Sequence, residues 1–313
     1  MRILVTGGAG FIASHISDGY ITAGHDVLIV DNFDPHGGAK REYINPKAEF
    51  VEIDIRSESL NGVFEKFKPD VVSHHAAQHS VAVSNREPLM DADINVMGLL
   101  RVLEAASACG TRKIIYASSG ATFGTVEKLP ITESTPQRPT SPYGASKLVG
   151  EHYLHIYNVQ RGLDYTAFRY ANVYGPRQNP FGEGGVVAIF TGRFLGGQPV
   201  RIDSDGNQTR DFTFVGDIAQ LNLAALDKGS CGRFCIGTGT PTSINTLYTE
   251  FVAASGIEPP IERAAKRPGD AQDTLMDPAL AIQTFGWRPE IKLREGISRT
   301  LAFYRERLPS PPK

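Results

Sequence analysis

The chain has 313 residues, 41% of them hydrophobic and 21% charged, so it can bury a full core and can divide into two domains. A net charge of -2 argues against a general nucleic-acid or membrane-binding surface. No apolar run approaches the roughly 20 residues that span a bilayer, and the opening Met1-Arg2-Ile3-Leu4-Val5 reads as a buried strand, too short for a signal peptide.

Arg2 to Thr6 is the first predicted strand. Gly7-x-x-Gly10-x-x-Ala13 follows it and opens a helix that runs to about Ala23. Small residues at this spacing allow a tight turn, let backbone amides approach a pyrophosphate, and let the helix pack on the strand. The first helical turn, with Phe11 and Ile12, adds anion-binding amides. A plain glycine-rich turn would look similar, but the position between strand and helix favours a dinucleotide site. The second strand, Asp26 to Val30, ends at Asp31-Asn32. An acid about 20 residues past the glycines suits the 2′-hydroxyl of NAD ribose and repels a 2′-phosphate; Lys40 and Arg41 nearby keep NADP open. Phe50 to Ile53 is a third strand ending at Asp54-Ile55. Asp54 there could meet an adenine amino group or cap a helix over Ser57 to Phe67.

The fourth strand, Val71 to His75, leads into Ala76-Ala77-Gln78, whose small residues leave room for a cofactor backbone. His74 and His75 point to opposite faces of a strand and cannot chelate together. Pro88 to Ala108 is a long helix interrupted by Asn95, which faces either the site or solvent. The fifth strand, Lys113 to Ala117, ends at Ser118-Ser119-Gly120. Ligands of parallel sheets sit at the carboxyl ends of strands, so a serine hydroxyl here can bridge a substrate oxygen, unless the segment is simply a Ser/Gly turn. A proline- and threonine-rich loop, Pro130 to Pro142, delivers the next helix, with Ser141 as its cap and Pro142 at its first position.

Tyr143 and Lys147 stand four residues apart on that helix and share a face. A free tyrosine, with a pKa of about 10, is a poor base at neutral pH. A neighbouring ammonium favours the phenolate and lowers that value, so the pair is a plausible activated base. An ordinary amphipathic helix with a surface tyrosine and lysine would show the same spacing. The helix reaches about Arg161, and Tyr165 to Tyr170 is the sixth strand.

Beyond Tyr170 the strand-helix alternation ends at Asn172-Val173-Tyr174-Gly175-Pro176-Arg177. A glycine-rich loop over Phe181 to Gly185 precedes a helix from Val186 to Leu195, and Asp217 to Leu226 reads as a further covering helix. Arg210 and Arg267 would suit a second diphosphate or surface ion pairs. The three cysteines, Cys109, Cys231 and Cys235, lack paired spacing, which argues against a disulfide framework and for a reducing, cytoplasmic compartment. No His/Cys/Asp cluster joins Cys231 and Cys235, so no metal site is read. The expected architecture is α/β: a doubly wound parallel (Rossmann) sheet over residues 1–174, rejoined by about 211–238, and a smaller α/β substrate domain from 175–210 and 239–313.

These motifs together resemble the extended short-chain dehydrogenase/reductase superfamily, and within it the NAD-dependent sugar-nucleotide epimerases, UDP-glucose 4-epimerases most of all. The resemblance covers nearly the whole chain and runs through Thr6–Ile12, Val30–Asn32, His75–Ala77, Tyr143–Lys147, Arg169–Arg177, Gln208–Phe212 and Arg267–Asp270. It implies NAD as cofactor, held by Gly7, Gly10, Phe11, Ile12, Asp31, Asn32, Asp54, Ile55, Ala76, Ala77, Ser118, Tyr143, Lys147 and Tyr170. It implies Ser119, Tyr143 and Lys147 as the catalytic set, with Ser118 in reserve if the alignment slips by one. A UDP-sugar would be held by Ser119, Tyr143, Asn172, Val187, Arg210, Arg267 and Asp270, and inverted at C4 through a 4-keto intermediate. A 4-keto sugar reductase or a catalytically idle NAD-sensing protein of the same fold are the alternatives. A homodimer built on Pro88–Ala108 and Tyr143–Arg161 is implied as well. Departures are Ala13 for a glycine, Phe123 for a tyrosine, and Gly120-Ala121 where dehydratases carry Asp-Glu and decarboxylating relatives a glutamate. Asn179 stands where UDP-glucuronate epimerases carry an arginine. Thr274 stands where epimerases restricted to glucose and galactose often carry a tyrosine, which implies room for N-acetylated sugars.

Overall fold

Unbroken runs of Ile, Leu and Val suit strands covered on both faces, as in a parallel sheet with helices on either side. A computed structural model describes residues 1–35, 37–181, 184–265 and 271–307. In it Ile3, Leu4 and Val5 are fully buried. The strands are β1 (Arg2–Thr6), β2 (Asp26–Asp31), β3 (Glu49–Glu52), β4 (Val71–His74), β5 (Lys113–Ser119), β6 (Asp164–Tyr170), β7 (Asn172–Tyr174), β8 (Val200–Asp203), β9 (Thr209–Arg210), β10 (Phe212–Phe214), β11 (Gly232–Ile236), β12 (Thr242–Ser243) and β13 (Ile261–Ala264). The helices are α1 (Phe11–Thr22), α2 (Leu60–Phe67), α3 (Val81–Arg86), α4 (Pro88–Ala92), α5 (Gly98–Ala108), α6 (Pro142–Arg161), α7 (Val186–Leu195), α8 (Val215–Ala224), α9 (Ile244–Ser255), α10 (Ala279–Phe285) and α11 (Leu293–Arg305).

Seven strands form one parallel sheet in the order β11-β6-β5-β4-β1-β2-β3. The order reverses at β1 and β4, which opens a crevice at their carboxyl ends. One face is covered by α1, α8 and α10, through Ile16, Tyr20, Leu221 and Phe285. The other is covered by α2, α5 and α6, through Phe64, Leu103 and Leu154. A third apolar cluster, around Phe190, Phe194 and Phe251, joins α7, α9 and α11 to β7 and β10. Short pairings tie this part together: β7 to β10, β9 to β12, and β8 to β13.

Three details differ from expectation. The helix predicted over Pro88–Ala108 is α4 and α5 joined by a π-helical turn at Asp93–Met97. Asn95 lies in that turn, buried, and faces neither solvent nor open space. π-Helical turns cluster at functional sites because they re-aim one side chain. Helix α2 begins at Leu60, and Asp54 instead accepts from the backbone N–H of Arg56 (2.8 Å), so Asp54 does not cap it. Strand β4 ends at His74, leaving His75 in the turn that follows.

Candidate active site

The glycine loop leaves β1 with Gly7 at φ +69°, a left-handed conformation that favours glycine. A Cβ there would also meet the Ala76 nitrogen at 2.8 Å. Gly7 and Ala76 therefore bring two strand ends together with only backbone between them. The Gly10 N–H closes the turn onto the Gly7 carbonyl (3.0 Å), and α1 starts at Phe11 with Ala13 buried behind it. Asp31, at the end of β2, accepts from the Ala9 N–H (3.1 Å) and the Phe33 N–H (2.8 Å). Burial raises its carboxyl pKa against those hydrogen bonds. Asn32 donates to Asp54 (2.9 Å), which Arg56 also grips (2.7 Å) and holds down to about 2. Ile55 is buried against Gly98. Ala76 and Ala77 follow β4 with only methyl groups for side chains, which leave the crevice largely unfilled. Bare backbone at Gly7 and Gly10 and a small side chain at Ala76, with an acid at the neighbouring strand end, fit a dinucleotide.

Ser119 ends β5 and caps the turn Gly120–Phe123 through its hydroxyl, which accepts from the Ala121 N–H at 3.1 Å. Ser141 caps α6 in the same way, accepting from Gly144 at 3.1 Å, and Pro142 fills the first position. That start places Tyr143 beside Ser119. A hydrogen bond with Ser119 lowers the phenol pKa, but burial outweighs it and the net shift is upward. Lys147 donates to the Ala117 carbonyl (2.9 Å) and lies 5.0 Å from the Tyr116 ring centre and 6.0 Å from that of Tyr143. Burial pushes the Lys147 ammonium down to about 8, opposed by the charge of Asp91. The expectation that Lys147 lowers the Tyr143 pKa is thus corrected: both groups are desolvated, and desolvation disfavours both charges.

Ser118 cannot stand in for Ser119. Adjacent strand residues face opposite sides, and Ser118 is buried on interior strand β5, donating to Glu151 at 2.6 Å. Glu151 is itself bound by Arg169 at 2.7 Å. Any cofactor contact from Ser118 must use its backbone. Tyr170 is also buried, accepting from the Asn222 amide (2.9 Å) and stacking on His75.

On the sugar side, Asn172 starts β7, and its side chain makes no hydrogen bond among the described residues. Val187 is buried in the α7 core, so its side chain does not line the crevice. Its amide belongs to the first helical turn, where N–H groups lack intrahelical acceptors. Arg210 on β9 donates to the Thr209 carbonyl (2.8 Å) and reaches the Gln272 carbonyl (3.3 Å). Arg267 and Asp270 lie outside the described residues. A Cβ on Gly120 would stand 2.4 Å from the Met276 methyl, so Met276 fills the place where an acid side chain would begin. No cluster able to hold a metal ion occurs among the described residues, and no helix among them is long and apolar enough to cross a membrane.

Sequence reasoning did not single out Asp91, Gln78 and Ser146, which form a buried network with Asn95. The Asn95 amide donates to Asp91 (3.1 Å) and Ser146 (3.1 Å), and the Gln78 amide donates to Asp91 (2.8 Å). One signal was available: Asp91 precedes Asn95 by four residues, which places both on one helical face.

The fold and this crevice define an NAD-using enzyme with a Ser-Tyr-Lys set at the end of β5. The pattern of the NAD dependent epimerase/dehydratase family matches residues 3–237. The chain belongs to that family, and its cofactor is NAD. It is 41% identical to the UDP-glucose 4-epimerase of Mycolicibacterium smegmatis, over 98% of this chain and 99% of that one. It superposes on the Thermotoga maritima UDP-glucose 4-epimerase with UDP-glucose at a TM-score of 0.94, with 42% identity over 99% of this chain and 100% of that one. A UDP-N-acetylglucosamine 4-epimerase from Methanobrevibacter ruminantium, in complex with UDP-N-acetylmuramic acid, gives a TM-score of 0.93 at 31% identity over 98% and 99%.

Proposed function

We propose that this NAD-dependent epimerase inverts C4 of a UDP-hexose, interconverting UDP-glucose and UDP-galactose and also accepting their N-acetylated forms. The observation that carries the reading is Tyr143 at the start of α6, beside Ser119 and with Lys147 6.0 Å from its ring centre, set against a glycine crevice shaped for a dinucleotide. The similarity to epimerases of UDP-glucose and of UDP-N-acetylglucosamine supports it. When bound, NAD supplies the site that takes hydride from C4 and gives it back. The chain's own work is with the proton. The Tyr143 oxygen removes it from the C4 hydroxyl and returns it after the 4-keto sugar has turned over. Ser119 bridges the same oxygen, and Lys147 keeps positive charge next to the developing phenolate. Asn172, the Val187 amide and Arg210, with Arg267 and Asp270, hold the UDP moiety. Met276 over Gly120 supports inversion rather than dehydration, because no acid occupies that position.

The proposed division is a cofactor part from residues 1–174 and about 211–238, and a UDP-sugar part from 175–210 and 239–313. The pairing of β11 with β6 and the packing of α8 on α1 support it. A homodimer through α4, α5 and α6 is supported by apolar side chains left open there, notably Leu89 at 85% exposure and Val159 at 70%. Three free thiols support a cytoplasmic setting.

The test is a panel of UDP-sugars given to purified protein with its retained NAD and no added cofactor, followed by NMR at C4. The expected result is inversion of UDP-glucose, with a lower kcat/KM for UDP-glucuronate. Asn179 is neutral, and an unpartnered buried carboxylate would cost several kcal/mol. Turnover only with stoichiometric reduced nicotinamide would mean a 4-keto reductase. No turnover with any sugar would favour an NAD-sensing role.

A further inference from the structure

Asp91 is 1% exposed on α4, and its two oxygens are treated differently. One accepts from the side-chain amides of Gln78 (2.8 Å) and Asn95 (3.1 Å). The other is buried with no hydrogen-bond partner among the described residues. Leaving a carboxylate oxygen unpaired in the interior is costly unless a charge elsewhere compensates. Lys147 is a cation buried close by, at 3% exposure. Asp91 and Lys147 make no direct ion pair. They are linked through Asn95, whose amide spans from Asp91 to Ser146, the residue before Lys147.

We propose that Asp91 is a positioning residue: its buried negative charge keeps Lys147 an ammonium beside Tyr143, while its amide contacts fix the π-helical turn against α6. This rests on the reading of Tyr143 and Lys147 as the acid-base pair.

The other groups around Lys147 do not supply that charge. His74 on β4 and His75 after it are kept neutral by burial, with His75 pushed down to about 3. Tyr116 on β5 and Tyr143 on α6 are phenols that burial raises. Glu151, one turn further along α6, is spent on Arg169 and lies within 3.8 Å of Arg233. Asp91 therefore stands as the anion that opposes the desolvation of Lys147. Asp91 also disfavours the Tyr143 phenolate directly. Removing the charge lowers the pKa of both groups, so the whole pH-rate profile moves the same way.

The experiment is Asp91→Asn in the NAD-loaded protein. It is read by the pH dependence of kcat and by the phenolate difference absorbance that Tyr143→Phe abolishes. Both limbs of the profile and the phenolate midpoint are expected to move to lower pH by about half a unit or more, while Asp91→Glu stays near wild type. If Asp91→Asn does not fold, Asp91→Ser carries the same expectation. Reduced activity with unmoved midpoints would make Asp91 purely structural and overturn the proposal. So would an equal shift in Asp91→Glu, since shape and not charge would then be at work. If Tyr143→Phe keeps its activity, the acid-base reading itself falls, a result separate from either outcome at Asp91.

Discussion

At the nucleotide end of the crevice, Gly7, Asp31 and Ala76 come from the ends of three neighbouring strands and are fixed by contacts among themselves. The Asp31 carboxylate holds the Ala9 amide, and Gly7 lies against the Ala76 backbone. At the sugar end, Arg210 sits on a two-residue strand held by β12 and by the distant segment at Gln272 to Thr274. The first region is part of the sheet and shares its cooperativity. The second is attached by a few hydrogen bonds between segments far apart in sequence. Changes at the nucleotide end should therefore cost function broadly, and changes at the sugar end should redirect specificity while leaving the fold intact.

The sharpest break falls at the seam between the two regions, at Tyr143. Tyr143→Phe removes one oxygen from a half-buried ring and keeps its packing. A loss of roughly 100-fold or more in kcat is expected, with NAD still retained, as for other positioned acid-base groups. Near-normal turnover would mean that the proton leaves by another route.

A smaller and broader effect is expected from Asp31→Ala. The carboxylate accepts two backbone N–H groups, and in the proposed NAD site it would accept from ribose as well. Hydrogen bonds to a charged acceptor contribute about 1.5–3 kcal/mol, so NAD should bind roughly 10- to 100-fold more weakly. Loosening of the glycine loop would weaken NAD and NADP alike. Loss of the negative charge would narrow the gap between them. Titration of both cofactors separates the two effects, and a wild type that prefers NADP would contradict the assignment of Asp31.

The contrast also explains what was legible in the sequence. Apart from the short α3 (Val81–Arg86), which sequence reasoning passed over, the order of strands and helices through Tyr170 could be read because each crossover is local and each buried strand is a run of apolar residues. Gly7 was legible because its backbone conformation restricts the residue type. The helix break at Asp93–Met97 was not, because Asn95 reads equally as a surface polar residue until Ser146 comes to meet it. The direction of the Tyr143 shift was also hidden: spacing shows that Lys147 is near, but not that both groups are desolvated. The burial of Val187 was missed for a similar reason, since an apolar residue in the first turn of α7 suits a core or a ligand equally well. At the sugar end, the joining of Thr209 to Asp273 and of Ile131 to Met276 depends on pairings between distant segments, which no local pattern announces.

The narrowest expected effect, confined to one of two substrates, tests the sugar end by itself. Thr274 follows the bridge between Thr209 and Asp273, and its N–H donates to the Thr209 carbonyl at 3.1 Å, next to Arg210. Its backbone is thus fixed while its side chain is small, and the buried hydroxyl has no hydrogen-bond partner among the described residues. Replacing it with tyrosine breaks no hydrogen bond that this side chain makes among the described residues and adds a ring at a residue whose backbone pairs with β9, the strand that carries Arg210. Pockets discriminate small size differences by about 1–3 kcal/mol, or about 10- to 200-fold. Thr274→Tyr should therefore suppress kcat/KM for UDP-N-acetylglucosamine within that range and leave UDP-glucose nearly unchanged. Equal losses on both sugars would show that the ring disturbs Arg210 and the UDP site instead. Wild-type protein that turns over UDP-glucose but not the acetylated sugar would show that another side chain already closes the space.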